Sequence, residues 1–118
     1  MNISIIIPNY NGEKLLKKNL PHVLAAARSY TKGTVEIIIA DDPSTEQWEA
    51  VIKQFIAGIS DTNIKGKIIS NKNKKESGFS KNVNRGVSLA TGDVLILLNT
   101  DVRPYRDFID PLVRHFED

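Results

Sequence analysis

Ile37-Ile38-Ile39-Ala40 runs directly into Asp41-Asp42, and Val94-Leu95-Ile96-Leu97-Leu98 runs directly into Asn99-Thr100-Asp101. Unbroken apolar runs of this length read as strands of a parallel sheet covered on both faces. In open α/β sheets, ligands bind beyond the carboxyl ends of the strands. Carboxylates at those ends serve packing poorly and serve a polar ligand well. Two such ends on separate strands predict an α/β domain, a mostly parallel sheet with helices on both faces. They also predict a site suited to a polar ligand and a metal.

Around these two runs the chain alternates strand and helix. Asn2–Pro8 reads as the first strand, and Thr34–Ala40 as the second, which carries the first apolar run. Between them, Leu15, Leu16, Leu20, Val23, Leu24 and Ala27 recur at near-helical spacing within Glu13–Ser29. Pro21 lies inside that segment and is expected to kink it or restart it as a second short helix, because proline removes a donor and crowds the preceding turn. Ser44-Thr45-Glu46-Gln47 has the form of a capping box, with Ser44 as N-cap and Gln47 reaching back. Behind it Trp48, Val51, Ile52, Phe55, Ile56 and Ile59 form the clearest amphipathic pattern in the chain. Lys65–Ser70 alternates weakly, as a strand nearer an edge, and Asn71–Ser77 reads as polar loop. Phe79, Val83, Val87 and Ala90 mark one face of a third helix, with Gly92 as its left-handed C-terminal residue. Val94–Leu98 is expected to be the central strand. Phe108, Ile109, Leu112, Val113 and Phe116 mark a last helix. Such alternation implies right-handed crossovers within one domain spanning 1–118.

Bulk composition narrows the function classes. At 118 residues, with 41% hydrophobic and 25% charged residues, the chain has the composition of one soluble globular domain. A net charge of +2 gives no case for nucleic acid, and the lysines between Lys65 and Lys81 read as a solvated loop rather than a phosphate-steering patch. The absence of cysteine removes disulfides and thiolate metal sites. Neither a signal peptide nor a membrane span is expected, which suits a cytoplasmic location. Asn2-Ile3-Ser4 matches a glycosylation sequon, but by chance, within a strand expected to be buried.

Four loops carry candidate chemistry. Pro8-Asn9-Tyr10-Asn11-Gly12 sits where a dinucleotide fold would place its glycine triad, but only Gly12 is present; no P-loop occurs either. Tyr10, flanked by Asn9 and Asn11, suits a flat ring with amides nearby, although the same loop also works as a plain connection. In Asp41-Asp42-Pro43-Ser44-Thr45, one aspartate is explained by a following helix N-terminus, and a second is not. A carboxylate only accepts and a pyrimidine imide only donates, so an aspartate here can select uracil or thymine over cytosine. In Asn99-Thr100-Asp101, alternate residues of an extended segment converge, offering a carboxylate and an amide oxygen. Mg²⁺ or Mn²⁺ takes one or two carboxylates together with substrate phosphates and waters. A simple turn near Pro104 is the competing reading. Gly78-Phe79-Ser80-Lys81-Asn82-Val83-Asn84-Arg85-Gly86 opens a helix whose N-terminus suits a diphosphate or ribose, with Gly86 costly unless the sheet packs close. His22 and His115 read as helix-surface or helix-end residues.

Taken in order, these stretches resemble the family 2 glycosyltransferases, the inverting GT-A group acting on nucleotide-sugars. Ile5 to Gly12, Asp41 to Thr45, Gly78 to Gly86, Gly92-Asp93 and Asn99 to Asp101 carry the resemblance over the whole chain. It implies that this is the N-terminal, nucleotide-sugar-binding half of a GT-A domain. It further implies that Pro8, Asn9, Tyr10, Asn11, Asp41 and Asp42 hold the base, with Asp42 the imide acceptor by family position. Gly78, Asn84, Asn99 and Thr100 complete the donor site, and Asp101 holds Mg²⁺ or Mn²⁺. The implied donor is a UDP- or dTDP-sugar and the implied acceptor a glycan or lipid-linked hydroxyl, at the cytoplasmic membrane face in a longer protein. Asn99 in place of a first motif acid is similar to the rhamnosyltransferase-like branch, and Pro43 replaces a usual glycine. The family domain is about twice this length and draws its general base and acceptor site from the other half. The chain alone is therefore expected to transfer no sugar and to self-associate through uncovered surface. A non-catalytic nucleotide-binding or regulatory domain with the same pocket is the alternative; a dinucleotide oxidoreductase fails on the missing glycines.

Overall fold

A computed structural model describes residues 1–45 and 48–117 of the chain. Four parallel strands, β1 (Ile3–Asn9), β2 (Val35–Asp41), β3 (Ile64–Ser70) and β4 (Val94–Leu97), form one sheet in the order β3-β2-β1-β4. The helices are α1 (Glu13–Ser29), α2 (Glu49–Ala57), α3 (Phe79–Ser88) and the short α4 (Ile109–Val113). Alternation along the innermost strands sorts them by face. Ile3, Ile5 and Ile7 of β1, with Val35, Ile37 and Ile39 of β2, join Leu16, Leu20 and Val23 of α1, Ile52 of α2 and Ile109 and Val113 of α4 in one buried core. On the other face α3 lies over Ile6 and Ala40. The expected α/β layering is present, and β3 is an edge strand as its weak alternation suggested.

Several local expectations fail for identifiable reasons. Val94–Leu98 was expected at the centre, yet β4 pairs only with β1 and is an edge of the sheet among the described residues. An apolar run reports that both faces of a strand are apolar, not where the strand sits; Leu95 and Leu97 are 46% and 49% exposed. Pro21 does not restart the helix, because α1 runs through it unbroken and its missing N–H falls on the exposed side. Ser44 is not the N-cap of α2, which begins at Glu49 after Trp48. The Ser44 hydroxyl is bound instead to Asp41 and accepts from the Asn11 backbone N–H at 2.8 Å. Gln47, the other half of the expected box, lies outside the described residues.

The third helix is turned from its expected face. Asn82 and Gly86 are its buried residues, whereas Phe79 and Val87 are 59% and 36% exposed. A side chain at Gly86 would put Cβ 2.8 Å from Ile6 Cγ2, so the close packing anticipated for this glycine is what the sheet requires. Asn82 Nδ2 donates to the Ala40 carbonyl at 2.8 Å, a polar contact that an apolar-face search misses. Gly92 is not left-handed, since Gly78, at φ 138°, is the glycine with positive φ among the described residues. Gly92 is small because its Cβ would meet Ser4 N at 2.7 Å. The loop after β3 contains a 3-10 turn at Lys74–Glu76, and the last helical segment ends as a 3-10 turn at Arg114–Phe116.

A buried carboxylate ties this second face together. Glu36 of β2 accepts from Thr91 N at 2.6 Å and from Ser4 Oγ, and pairs with Lys67 at 2.6 Å. Burial raises its pKa, but the bonds from Lys67, Ser4 and Thr91 outweigh burial and hold it at about 2 against an ordinary 4.5. A depressed folded pKa contributes stability that is present above the unfolded value and lost as pH falls toward the folded one. Urea titrations of the chain should therefore show stability falling by about 3 kcal/mol from this group as pH drops from 4.5 toward 2. Glu36→Gln should flatten that part of the profile. An unchanged profile in the variant would remove Glu36 from the account.

Candidate functional site

The chain steps outward from β1 to β2 and β3 and then returns past β1 to β4, so the switch point of the fold lies between the carboxyl ends of β1 and β4. A cleft of about 790 Å³ opens there, within the range of small-molecule sites. One wall is Pro8, Asn9 and Tyr10 after β1; another is Asp42, Pro43 and Thr45 after β2. Asn99, Thr100 and Asp101 after β4 close a third side, and Ser77, Gly78 and Phe79 close the last. Eight residues singled out in the sequence meet here: Pro8, Asn9, Tyr10, Asp42, Gly78, Asn99, Thr100 and Asp101.

Asn11, Asp41 and Asn84 do not line the cleft. Asp41 is 2% exposed and its oxygens are occupied within the protein: Oδ1 accepts from Asn9 Nδ2 at 2.9 Å and Oδ2 from Ser44 N at 2.9 Å. Asn11, in the left-handed region at φ 51°, accepts from Thr45 N through its side chain at 2.8 Å. Asparagine tolerates that backbone better than most residues. These bonds lock the loop after β1 to the loop after β2, so Asp41 and Asn11 shape the site from behind. Asn84 lies on the exposed side of α3.

Asp42 is engaged through both of its oxygens. Its Oδ1 accepts from Asn71 Nδ2 at 2.9 Å and from the Arg85 guanidinium at 2.8 Å, and its Oδ2 accepts from Gly78 N at 2.7 Å. Burial pushes the carboxyl upward, yet the bonds from Asn71 and Gly78 and the charge of Arg85 bring it below the ordinary carboxylate range. A carboxylate offers about four acceptor positions, so one stays open on the side of Oδ2. Asn71 and the Arg85 bond were not anticipated. Both partners are remote in sequence, and Asn71 sits in an undistinguished polar loop.

Asp101 contrasts with Asp42. It is exposed, and among the described residues its carboxylate has neither a hydrogen-bond nor an ion-pair partner. The turn that presents it is fixed by Asn19 Nδ2, which donates to the Thr100 carbonyl at 2.7 Å, and by Val102 N to Asn99 O at 3.1 Å. No cluster of three or more acidic or histidine ligands occurs among the described residues. One free carboxylate with an amide oxygen beside it is too few ligands for a protein-only cage. It fits a hard cation that takes its other ligands from phosphates and water.

The architecture is that of the GT-A fold, and the solved structures of that fold superpose on it. Among solved structures, a mannosyltransferase from Pyrobaculum calidifontis in complex with GDP-Man and Mn²⁺ superposes with a TM-score of 0.83 at 19% identity, covering 98% of this chain and 32% of that one. TarS 1-349 from S. aureus in complex with UDP superposes at 0.75 with 20% identity, over 99% of this chain and 32% of that one. The profile of Glycosyl transferase family 2 matches residues 4–118, and the chain belongs to that family. A glucuronosyltransferase of Methanococcus voltae, named as acting on dolichyl N-acetyl-alpha-D-glucosaminyl phosphate, is 35% identical over 107 residues, 91% of this chain and 31% of its own length. The chain thus spans about a third of the relatives it matches.

Proposed function

We propose that the cleft is the donor site of an inverting glycosyltransferase that uses a UDP- or dTDP-sugar. The observation that carries this is the pairing of two unlike carboxylates across one cleft: Asp42, buried and held ionised, and Asp101, exposed and unpartnered. The first suits a base edge that presents an N–H. The second suits a cation shared with a diphosphate. Tyr10, 66% exposed in the cleft, offers a face for the base to lie on. A divalent cation at Asp101, Mg²⁺ or Mn²⁺, would supply charge neutralisation for the departing diphosphate. The backbone of Thr100, anchored by Asn19, would orient that carboxylate, while the loops locked by Asp41 keep the base wall rigid.

The acceptor is a glycan or lipid-linked hydroxyl, in polysaccharide or cell-envelope synthesis at the cytoplasmic membrane face; relatives named for dolichyl and undecaprenyl phosphates support this. No catalytic residue is assigned: the two carboxylates that line the cleft among the described residues, Asp42 and Asp101, are given to the base and to the cation. This chain alone should bind donor without transferring sugar. The exposed Leu95 and Leu97 on the open β4 edge should promote self-association. A regulatory nucleotide-binding domain would share the pocket and differ in having no acceptor at all.

The test is UDP binding by calorimetry with Mn²⁺ and with EDTA. EDTA should weaken binding about tenfold or more, as loss of a charge-assisted contact does. Asp101→Ala should remove that metal-dependent increment, and Asn99→Ala should reduce it less. Binding indifferent to EDTA would eliminate the metal role.

A further inference from the structure

One large side chain of the cleft has no role in the function proposed above. Phe79, the first residue of α3, lines the cleft and is 59% exposed, although its place in the apolar pattern marks it for the core. α3 does not use it for packing, since the buried residues of that helix are Asn82 and Gly86. An aromatic ring left facing water inside a cleft is stabilised by a flat partner laid against it.

Two bonds to Asp42 fix where that ring stands. Asp42 N donates to the Asn9 carbonyl at 2.9 Å, and Tyr10 is the next residue after Asn9. Gly78 N donates to Asp42 Oδ2 at 2.7 Å, and Phe79 is the next residue after Gly78. Consecutive Cα atoms are only about 3.8 Å apart. Tyr10 and Phe79 therefore project from two different walls, each one residue from an atom bonded to Asp42. Between them lies the open acceptor position on the Oδ2 side. Gly78 makes the turn at φ 138°, and nothing stands within 4 Å of where its Cβ would be, so the approach between the walls is clear. Leu15, the other large apolar side chain exposed in the cleft among the described residues, belongs to α1. That helix is tied through Asn19 to the Thr100 turn, on the side of Asp101.

We propose that Phe79 is a second aromatic wall for the nucleobase, which lies between the rings of Tyr10 and Phe79 while its edge meets Asp42. The assignment rests on the donor reading of the cleft and adds the group that covers the other face of the base. Every base has a π-face, so stacking is indifferent to which base it holds. Phe79 therefore contributes affinity, and Asp42 contributes the choice of edge.

The test is calorimetric titration of the chain with UDP, GDP and inorganic pyrophosphate in the presence of Mg²⁺. Phe79→Ala should weaken UDP binding at least about fivefold, the lower bound for removing one ring from beneath a base. GDP should weaken by a similar factor, and pyrophosphate, which has no base, should be unaffected. Phe79→Tyr keeps the ring and should bind UDP within about twofold of the unmodified chain. Phe79→Leu keeps apolar bulk without the ring and should not restore the affinity. Phe116→Ala removes an equally exposed phenylalanine outside the cleft and should leave UDP binding unchanged. Because Phe79 is exposed, the melting temperature of Phe79→Ala should stay within about 4 °C of the unmodified chain. UDP affinity unmoved in Phe79→Ala, full rescue by leucine, or an equal loss for pyrophosphate would overturn the role of Phe79 and leave the donor reading standing. An unmodified chain that binds UDP no better than pyrophosphate would overturn the donor reading, and this assignment with it.

Discussion

Gly92→Val should destabilise the chain by about 3 kcal/mol, the upper end of the usual overpacking cost, and lower its melting temperature by on the order of 10 °C. The Cβ built at Gly92 lies 2.7 Å from Ser4 N and 2.8 Å from the Ile3 carbonyl carbon. These are backbone atoms of β1, one of the two inner strands, and they cannot give way as a flexible side chain would. The substitution also disturbs the bond from Gly92 N to Ser4 Oγ at 2.8 Å, and through Ser4 the buried Glu36. Gly92→Ala should already be harmful, because the obstacle is space and not backbone conformation. A melting temperature within about 2 °C of the unmodified chain for Gly92→Val would contradict this packing.

Asp42→Asn should weaken UDP binding by roughly 1.5–3 kcal/mol, the range for hydrogen bonds to a charged group. The shape is nearly unchanged, but one oxygen becomes a donor facing the Gly78 N–H or the Arg85 guanidinium. The variant therefore loses the charge that a base N–H would meet, and the Gly78 lip of the cleft loses an anchor. Arg85, 22% exposed in its side chain, is left without its counter-charge, so stability should fall as well. Measuring melting temperature beside affinity separates the two effects. Since Asp42 is held below the ordinary carboxylate range, its contribution is present at neutral and mildly acidic pH and is lost only in stronger acid. Affinity and stability both unmoved in Asp42→Asn would remove this residue from the site.

How much of this was legible in the chain depends on sequence distance. The sheet, the spans of β1 and β2 and the amphipathic α2 follow local apolar runs and periodicity, and they emerge as expected. The acidic strand ends were also legible, because carboxylates after buried runs have few structural uses. Their division of labour was not: Asp41 and Asp42 are adjacent, yet one is consumed by Asn9 and Ser44 and the other by Asn71, Gly78 and Arg85. Those partners arrive only through tertiary contact. The face of α3 was misread for a similar reason, since Asn82 and Gly86 pack by a polar bond and by lack of volume, neither of which an apolar pattern records. The central position expected for β4 failed because an apolar run reports that both faces of a strand are apolar and does not fix its place in the sheet.

The central claim is that this cleft holds a nucleotide diphosphate by its base and its phosphates together. The most direct measurement is calorimetric titration of the chain with UDP, GDP and ADP in the presence of Mn²⁺. The account predicts saturable binding of UDP, weaker binding of GDP, and the weakest binding for ADP, whose base edge presents no ring N–H to Asp42. Equal affinity for UDP and ADP, or no binding of any of the three, would contradict it.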